Sequence, residues 1–336
     1  MWQFVADQID QLDLALDQMA MRDRNFDRFA MMLIDNVVEL TLHQQARECS
    51  YENKSWDRKE NPKYDPKAVA QALGQVFDAK VRLARIAAMV SDSVADSLLY
   101  LHGYRNTVYH QGVRHEGILH ALAIFYFEIA CGVLKAFNPM WWTSGGEELS
   151  HRAIKYIGKP SIVEGRDAFP AACDRLLLVG TSLGDTLIAD LDADMGKAIE
   201  RVDEQIKYLC EGSPDQPTRR EVILSAQAWP LAFTEKGKKW ALENGNTEAT
   251  VGGYVDWLSK NYPWPVKIDP IAGWRKRQES LRVEKDRHLG LKKYADFMLQ
   301  TEQFRSDMDE AEASLSRHID QQIDQARERR SMGGEE

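Results

Sequence analysis

The sequence predicts an all-α protein. Apolar residues recur at steps of three and four along most of the 336-residue chain, no alternating strand pattern of useful length appears, and Gly, Pro, Asn and Asp separate the periodic runs. A chain of this length buries a substantial core and is expected to divide in two. The breaks predict a helical bundle over residues 1–140, a helical C-terminal region over 141–330 that ends in a long helix, and a disordered tail over 331–336.

Val5, Ile9, Leu12, Leu16 and Met19 draw one stripe on a first helix, with Asp7, Asp10, Asp13 and Asp17 between them as a solvated face. Phe26, Phe29, Leu33, Val37 and Leu40 do the same for a second helix, from about 24 to 48. The polar stretch 50–67, with Pro62 and Pro66, reads as a loop. Helical spacing returns with Val69, Leu73, Val76, Phe77 and Val81 and continues from Leu83 to Met89. Ser91-Asp92-Ser93 then caps a short helix that holds Val94, Leu98 and Leu99. After Gly117 the run ILHALAIFYFEIACGVLKAF is nearly all apolar, with His120 and Glu128 inside it. It reads as the central helix of a bundle rather than a membrane span, and Asn138-Pro139 stops it.

Trp141 to Gly146 form the expected link to the second part. Beyond it, Phe169 to Cys210 predicts one or two helices, and Gly212-Ser213-Pro214 with Pro217 a loop. Helices around 219–243 and 248–260 follow, broken by Pro230 and Asn244-Gly245, with Thr234 as a natural N-cap. The turn Tyr262-Pro263-Trp264-Pro265 precedes a polar helix expected from about 270 to 329.

Composition narrows the function classes. The chain carries 43 basic and 52 acidic residues, a net charge of −9, and neither side of residue 150 is basic. Bulk capture of duplex DNA is therefore not expected, although a local patch can hold a short RNA. Cys49, Cys131, Cys173 and Cys210 form no C-x-x-C pair, which argues against a disulfide framework and a structural zinc. The first residues lack a charged leader followed by an apolar run, so the expected location is cytoplasmic, with no membrane partner.

The segment Tyr104-Arg105-Asn106-Thr107-Val108-Tyr109-His110 is the candidate working site. Its Arg-to-His spacing alone is common in a chain with 24 arginines and eight histidines; its setting gives it weight. Asn106 follows the arginine directly, an apolar helix follows the segment, and an apolar helix earlier in the bundle, AMMLIDNVVELTLHQQA, carries Asp35 and Glu39. Over residues 1–140 this combination resembles the HEPN superfamily, helical nucleic-acid-processing domains marked by R-x(4–6)-H, here Arg105-Asn106-x-x-x-His110. The resemblance implies a metal-independent endoribonuclease, a toxin or antiphage defence effector, in which two copies pair and each contributes an Arg and a His. Asp35 and Glu39 match the helix that carries an acidic residue near the site. Toxin-type relatives with a Tyr two places after the His use it as a modification target; Gly112 stands there in this chain.

The chemistry is coherent on its own terms. RNA cleavage without a metal needs a base for the 2′-hydroxyl, an acid for the leaving 5′-oxygen and a cation for the phosphorane; it yields a 2′,3′-cyclic phosphate and a 5′-hydroxyl. Histidine serves as base or acid near neutral pH, and arginine forks onto phosphate oxygens. Positions five apart on a straight helix diverge by about 140°. Arg105 and His110 thus need a break near Gly103 or a second subunit, whereas Asn106 and His110, four apart, share a face. Tyr104 and Tyr109 are candidates for stacking on bases, or for ordinary half-buried packing. The contrary reading is a cap: Arg105 and His110 pairing with Asp92 or Asp96 in a helical adaptor without catalysis.

Other features carry less. His110, His115 and His120 step by five and form no H-x-x-x-H pair, so no metal and no cofactor is expected. Asp190, Asp192 and Asp194 lack the rest of a calcium loop. Arg275 to Lys293 holds eight basic and three acidic residues, a guide for RNA or an acidic partner, or else a solvated face. Phe297, Phe304, Met308, Ala311 and Leu315 keep heptad-like spacing for under three heptads, suited to packing on their own domain or on an antitoxin or sensor protein.

Overall fold

The computed structural model describes residues 1–336 apart from 57, 59, 111–115, 143–148, 159–164, 214 and 333–336; among the described residues the secondary structure is helical, with no strand. The all-α class is as the periodicity predicts. Contacts divide the chain into two units, Met1–Asp194 with Glu284–Lys292, and Met195–Val283 with Lys293–Glu336.

In the first unit, α1 (Trp2–Ala20) buries the predicted stripe, with Val5, Ile9, Leu12 and Met19 at 0% exposure. The second helix, α2 (Arg24–Asn53), starts where the Asp23 side chain accepts from Asn25 N at 2.9 Å, one of the donors a helix start leaves open. It packs along α1 and along α6 (Leu119–Ala136), the apolar run that the sequence marks as central. By length and composition α6 is apolar enough to cross a membrane, and 72% of it is buried inside the protein.

Two expectations change here. The single helix expected from Val69 to Met89 is two, α3 (Pro66–Ala72) and α4 (Phe77–Ile86). Gly74 lies between them, its carbonyl taking the Lys80 ammonium at 2.9 Å, so the chain turns where periodicity alone runs on. The short helix after Ser91 is instead α5 (Asp92–His110), 19 residues long. Ser91 Oγ accepts from Val94 N at 3.3 Å, as a cap. The helix passes through Gly103, so the break considered there is absent.

The first unit also runs beyond residue 140. The helix α7 (His151–Ile157) packs on α1, and α8 (Gly165–Thr181) packs on α6 and α1. Asp13, expected on a solvated face, is 3% exposed. It accepts from Tyr156 Oη (2.6 Å), Arg152 Nη1 (2.6 Å) and Lys155 Nζ (2.9 Å), which together fasten α7 to α1.

The helix α9 (Leu187–Gly212) contributes residues to both units. In the second unit, α10 (Arg219–Ala232) opens on a capping box in which Thr218 and Glu221 satisfy each other's backbone N–H. It runs through Pro230 and ends two residues later, whereas a break at the proline was expected; so near the end a proline sacrifices little of the ladder. Thr234 caps α11 (Glu235–Glu243) as predicted, and Thr250 caps α12 (Val251–Asn261). Trp240, Trp257, Tyr262 and the buried Trp264 pack with Leu258 beneath them.

The polar helix expected over 270–329 is two helices, α13 (Ile271–Arg282) and α14 (Arg287–Met332). The Asp286 carboxylate accepts from His288 N (2.9 Å) and Leu289 N (3.2 Å), which starts the second one afresh. Phe297, Phe304 and Met308 of the heptad-like stretch are buried in their own unit, two of them under the edge of Trp274. The helix continues through Met332, past the start expected for the tail, and residues 333–336 lie outside the described residues.

Candidate functional site

The site grows from one carboxylate. Asp35 sits on α2 between Ile34 and Val37, and like them is buried, at 1% exposure. A carboxylate in that position needs donors, because an unpaired buried charge is costly. Three side chains surround it. Tyr126 Oη on α6 donates to Oδ1 at 2.6 Å. His102 Nδ1 on α5 lies 2.9 Å from the same oxygen, and Arg105 Nε lies 3.5 Å from Oδ2. Burial, and then the charge of Asp35, push the Tyr126 hydroxyl well above its ordinary range, so it stays a neutral donor.

The structure therefore brings together three of the predicted residues. Asp35 faces Arg105, and Arg105 Nη1 donates to Asn106 Oδ1 at 2.8 Å. Glu39, one turn along α2, goes elsewhere and pairs with Lys80 at 3.1 Å, an ammonium only 3% exposed. Tyr104 is partly exposed. The side chains of Tyr109 and His110, and Gly112 with the rest of 111–115, lie outside the described residues. Asp92 and Asp96, the alternative partners for Arg105, bind Arg85 (2.5 Å) and Lys292 (3.2 Å).

The residue that sequence reasoning missed is His102. It precedes Arg105 by three positions, so both lie on one face of α5 and meet Asp35. Its ring stacks on Phe77 of α4, centroids 4.0 Å apart and planes 6° from parallel. Against a carboxylate that already accepts from Tyr126, Nδ1 is the donor. The signal was present in the spacing His-x-x-Arg, but only beside an acid 67 residues away in sequence does it mean anything.

A second pair lies two turns earlier on α2, where Asp27 Oδ1 is 2.8 Å from His120 Nδ1. Burial pushes the Asp27 carboxyl up, against the opposing pull of His120, and His120 Nε2 is buried with no hydrogen-bond partner among the described residues. Other chemistries have less to stand on. Burial raises the Cys131 thiol well above its usual range and the Cys173 thiol to about 12, which keeps both from acting as thiolates. No cluster of three His, Cys, Asp or Glu side chains suited to a metal occurs among the described residues. In the basic stretch, Arg275 pairs with Asp203 (3.6 Å), Arg287 with Glu128 (2.5 Å) and Asp185 (3.5 Å), and Lys293 donates to Ser280 O (2.9 Å).

No family model, curated protein or solved structure matches the chain.

Proposed function

We propose that the chain is a metal-independent endoribonuclease of HEPN type, a toxin or antiphage defence effector of the cytoplasm, that works as a homodimer. Arg105 steadies the scissile phosphate, His110 supplies a proton-transfer group, and the Asn106 amide fixes the tautomer of that imidazole. The reading rests on one observation: a buried carboxylate on α2 gathers Arg105, and through it Asn106, at one place on α5. A guanidinium held from behind by a carboxylate keeps its direction toward a phosphate without having to be ordered on binding. Because α5 is unbroken from Asp92 to His110, the divergence of about 140° between Arg105 and His110 persists. One copy's His110 then faces the other copy's Arg105, and the second unit holds an antitoxin or sensor protein.

The test is incubation of the purified protein with total RNA in EDTA. Cleavage to 2′,3′-cyclic phosphate ends, reduced on the order of 10²- to 10⁴-fold in R105A and H110A, is the expected outcome. RNA left intact at high protein concentration, with no growth arrest on expression, selects the alternative: a helical adaptor in which Asp35 and Arg105 only tie α2 to α5.

A further inference from the structure

Cleavage of RNA by its own 2′-hydroxyl needs two proton transfers, one at each end of the reaction, and the R-x4-H pair of each copy brings one histidine. We propose that His102 is the second one: the general base of the ribonuclease site, with its Nε2 directed at the 2′-hydroxyl and its Nδ1 held by Asp35. The inference rests on the ribonuclease reading above and deepens it.

Four observations meet at this residue. The ring is fixed on both sides of its freedom, its plane by the stack on Phe77 at 4.0 Å and its rotation by the 2.9 Å contact with Asp35. Its side chain is 20% exposed, enough for substrate to reach it and too little for free rotation in solvent. Asp35 is itself held by Tyr126 from the core side, so the carboxylate that sets the imidazole's orientation does not swing. Arg105 stands one turn on, on the same face and the same carboxylate, so a phosphate bound there lies beside the imidazole. A base oriented by an acid beside a cation is the arrangement such a displacement requires.

The step balances without a co-reactant. His102 Nε2 takes the 2′-hydroxyl proton as the 2′-oxygen forms a bond to phosphorus. The bond from phosphorus to the 5′-oxygen breaks, and that oxygen receives a proton from His110. The two histidines lie eight positions apart, about 12 Å along the helix. Base and acid therefore meet on one phosphate from two copies, as the dimeric reading requires.

The charged and titratable groups that set the local field are Asp35 and Glu39 on α2, Lys80 on α4 bound to Glu39, Tyr126 on α6, and Arg105. The experiment is a pH–rate profile of the full-length protein on a short single-stranded RNA in EDTA, for the wild type, H102Q, H102A and D35N. Expected for H102Q and H102A is a fall in kcat on the order of 10²- to 10³-fold with KM little changed, and loss of the acidic limb of the profile. Added imidazole partly restores H102A. D35N keeps the base but weakens the group that holds its Nδ1, so kcat falls with KM little changed, a readout that remains even if the His102 variants fail to fold.

Wild-type rate and profile in H102Q, or an activity loss that keeps the acidic limb and shows no imidazole rescue, overturns the assignment and leaves the reading of Arg105 and His110 standing. Intact RNA with the wild type overturns both.

Discussion

Asp13 and Asp35 begin from the same circumstances and end in different company. Each lies on a long N-terminal helix at 3% and 1% exposure, and each takes a tyrosine hydroxyl at 2.6 Å. Asp13 then adds Arg152 and Lys155 from the seven-residue α7, both permanent cations, while Asp35 adds a histidine and an arginine from α5. Burial alone would raise Asp13, but Tyr156, Lys155 and Arg152 outweigh it and hold its carboxyl below the usual range. A buried acid matched to fixed cations fastens one helix to another; matched to an imidazole, it orients a group that gains and loses protons.

Removing each acid's function in turn separates fastening from orienting. In D13A, Arg152 and Lys155 are exposed enough to return to water, at 38% and 56%, but the Tyr156 hydroxyl is left buried without its acceptor. The expected loss is about 3 kcal/mol, seen as a lower urea midpoint at unchanged slope, with α7 the region that gains hydrogen exchange. Y126F removes a single donor from Asp35, and a loss of about 1 kcal/mol is expected, with a larger effect on cleavage rate than on Tm. A thermal scan beside a rate measurement separates the two.

Acid acts on the two carboxylates through their partners. Because the folded Asp13 carboxyl is held below its ordinary value, its contribution is complete above the unfolded pKa and fades as pH falls through the folded one. The gap in stability between wild type and D13A therefore narrows below about pH 4. The smallest effect is expected from R152A. That side chain is 38% exposed and half of its pairing is to the exposed Asp17, so the change costs under about 1 kcal/mol in a denaturant titration.

What sequence could and could not reveal follows from the same contrast. The stripes of α1, α2 and α6 were legible because burial writes itself every three or four residues. Asp35 stood out as an acid inside such a stripe. Asp13 did not, since its neighbours Asp10 and Asp17 make a polar face and only the distant α7 covers it. The breaks at Gly74 and Asp286 were missed for a related reason: a turn set by one carbonyl or one carboxylate leaves the apolar rhythm on either side untouched. His102 needed Asp35 and Phe77 beside it to acquire meaning, and both come from other helices.

The burial of α6 has a consequence for how the chain is made. On a ribosome this apolar segment emerges after α1 and α2, the helices that cover much of its length, and before α8, which closes its remaining side. The trough is synthesised before the rod that fills it, so the stickiest stretch of the nascent chain meets its seat as soon as it leaves the tunnel. Gly180 of α8, where an added Cβ would stand 2.6 Å from the Phe127 ring, marks how close that last helix must come. Translation stalled between residues 140 and 165 leaves a furrow along α6 wet, and that arrested length is the one for which a chaperone should compete best.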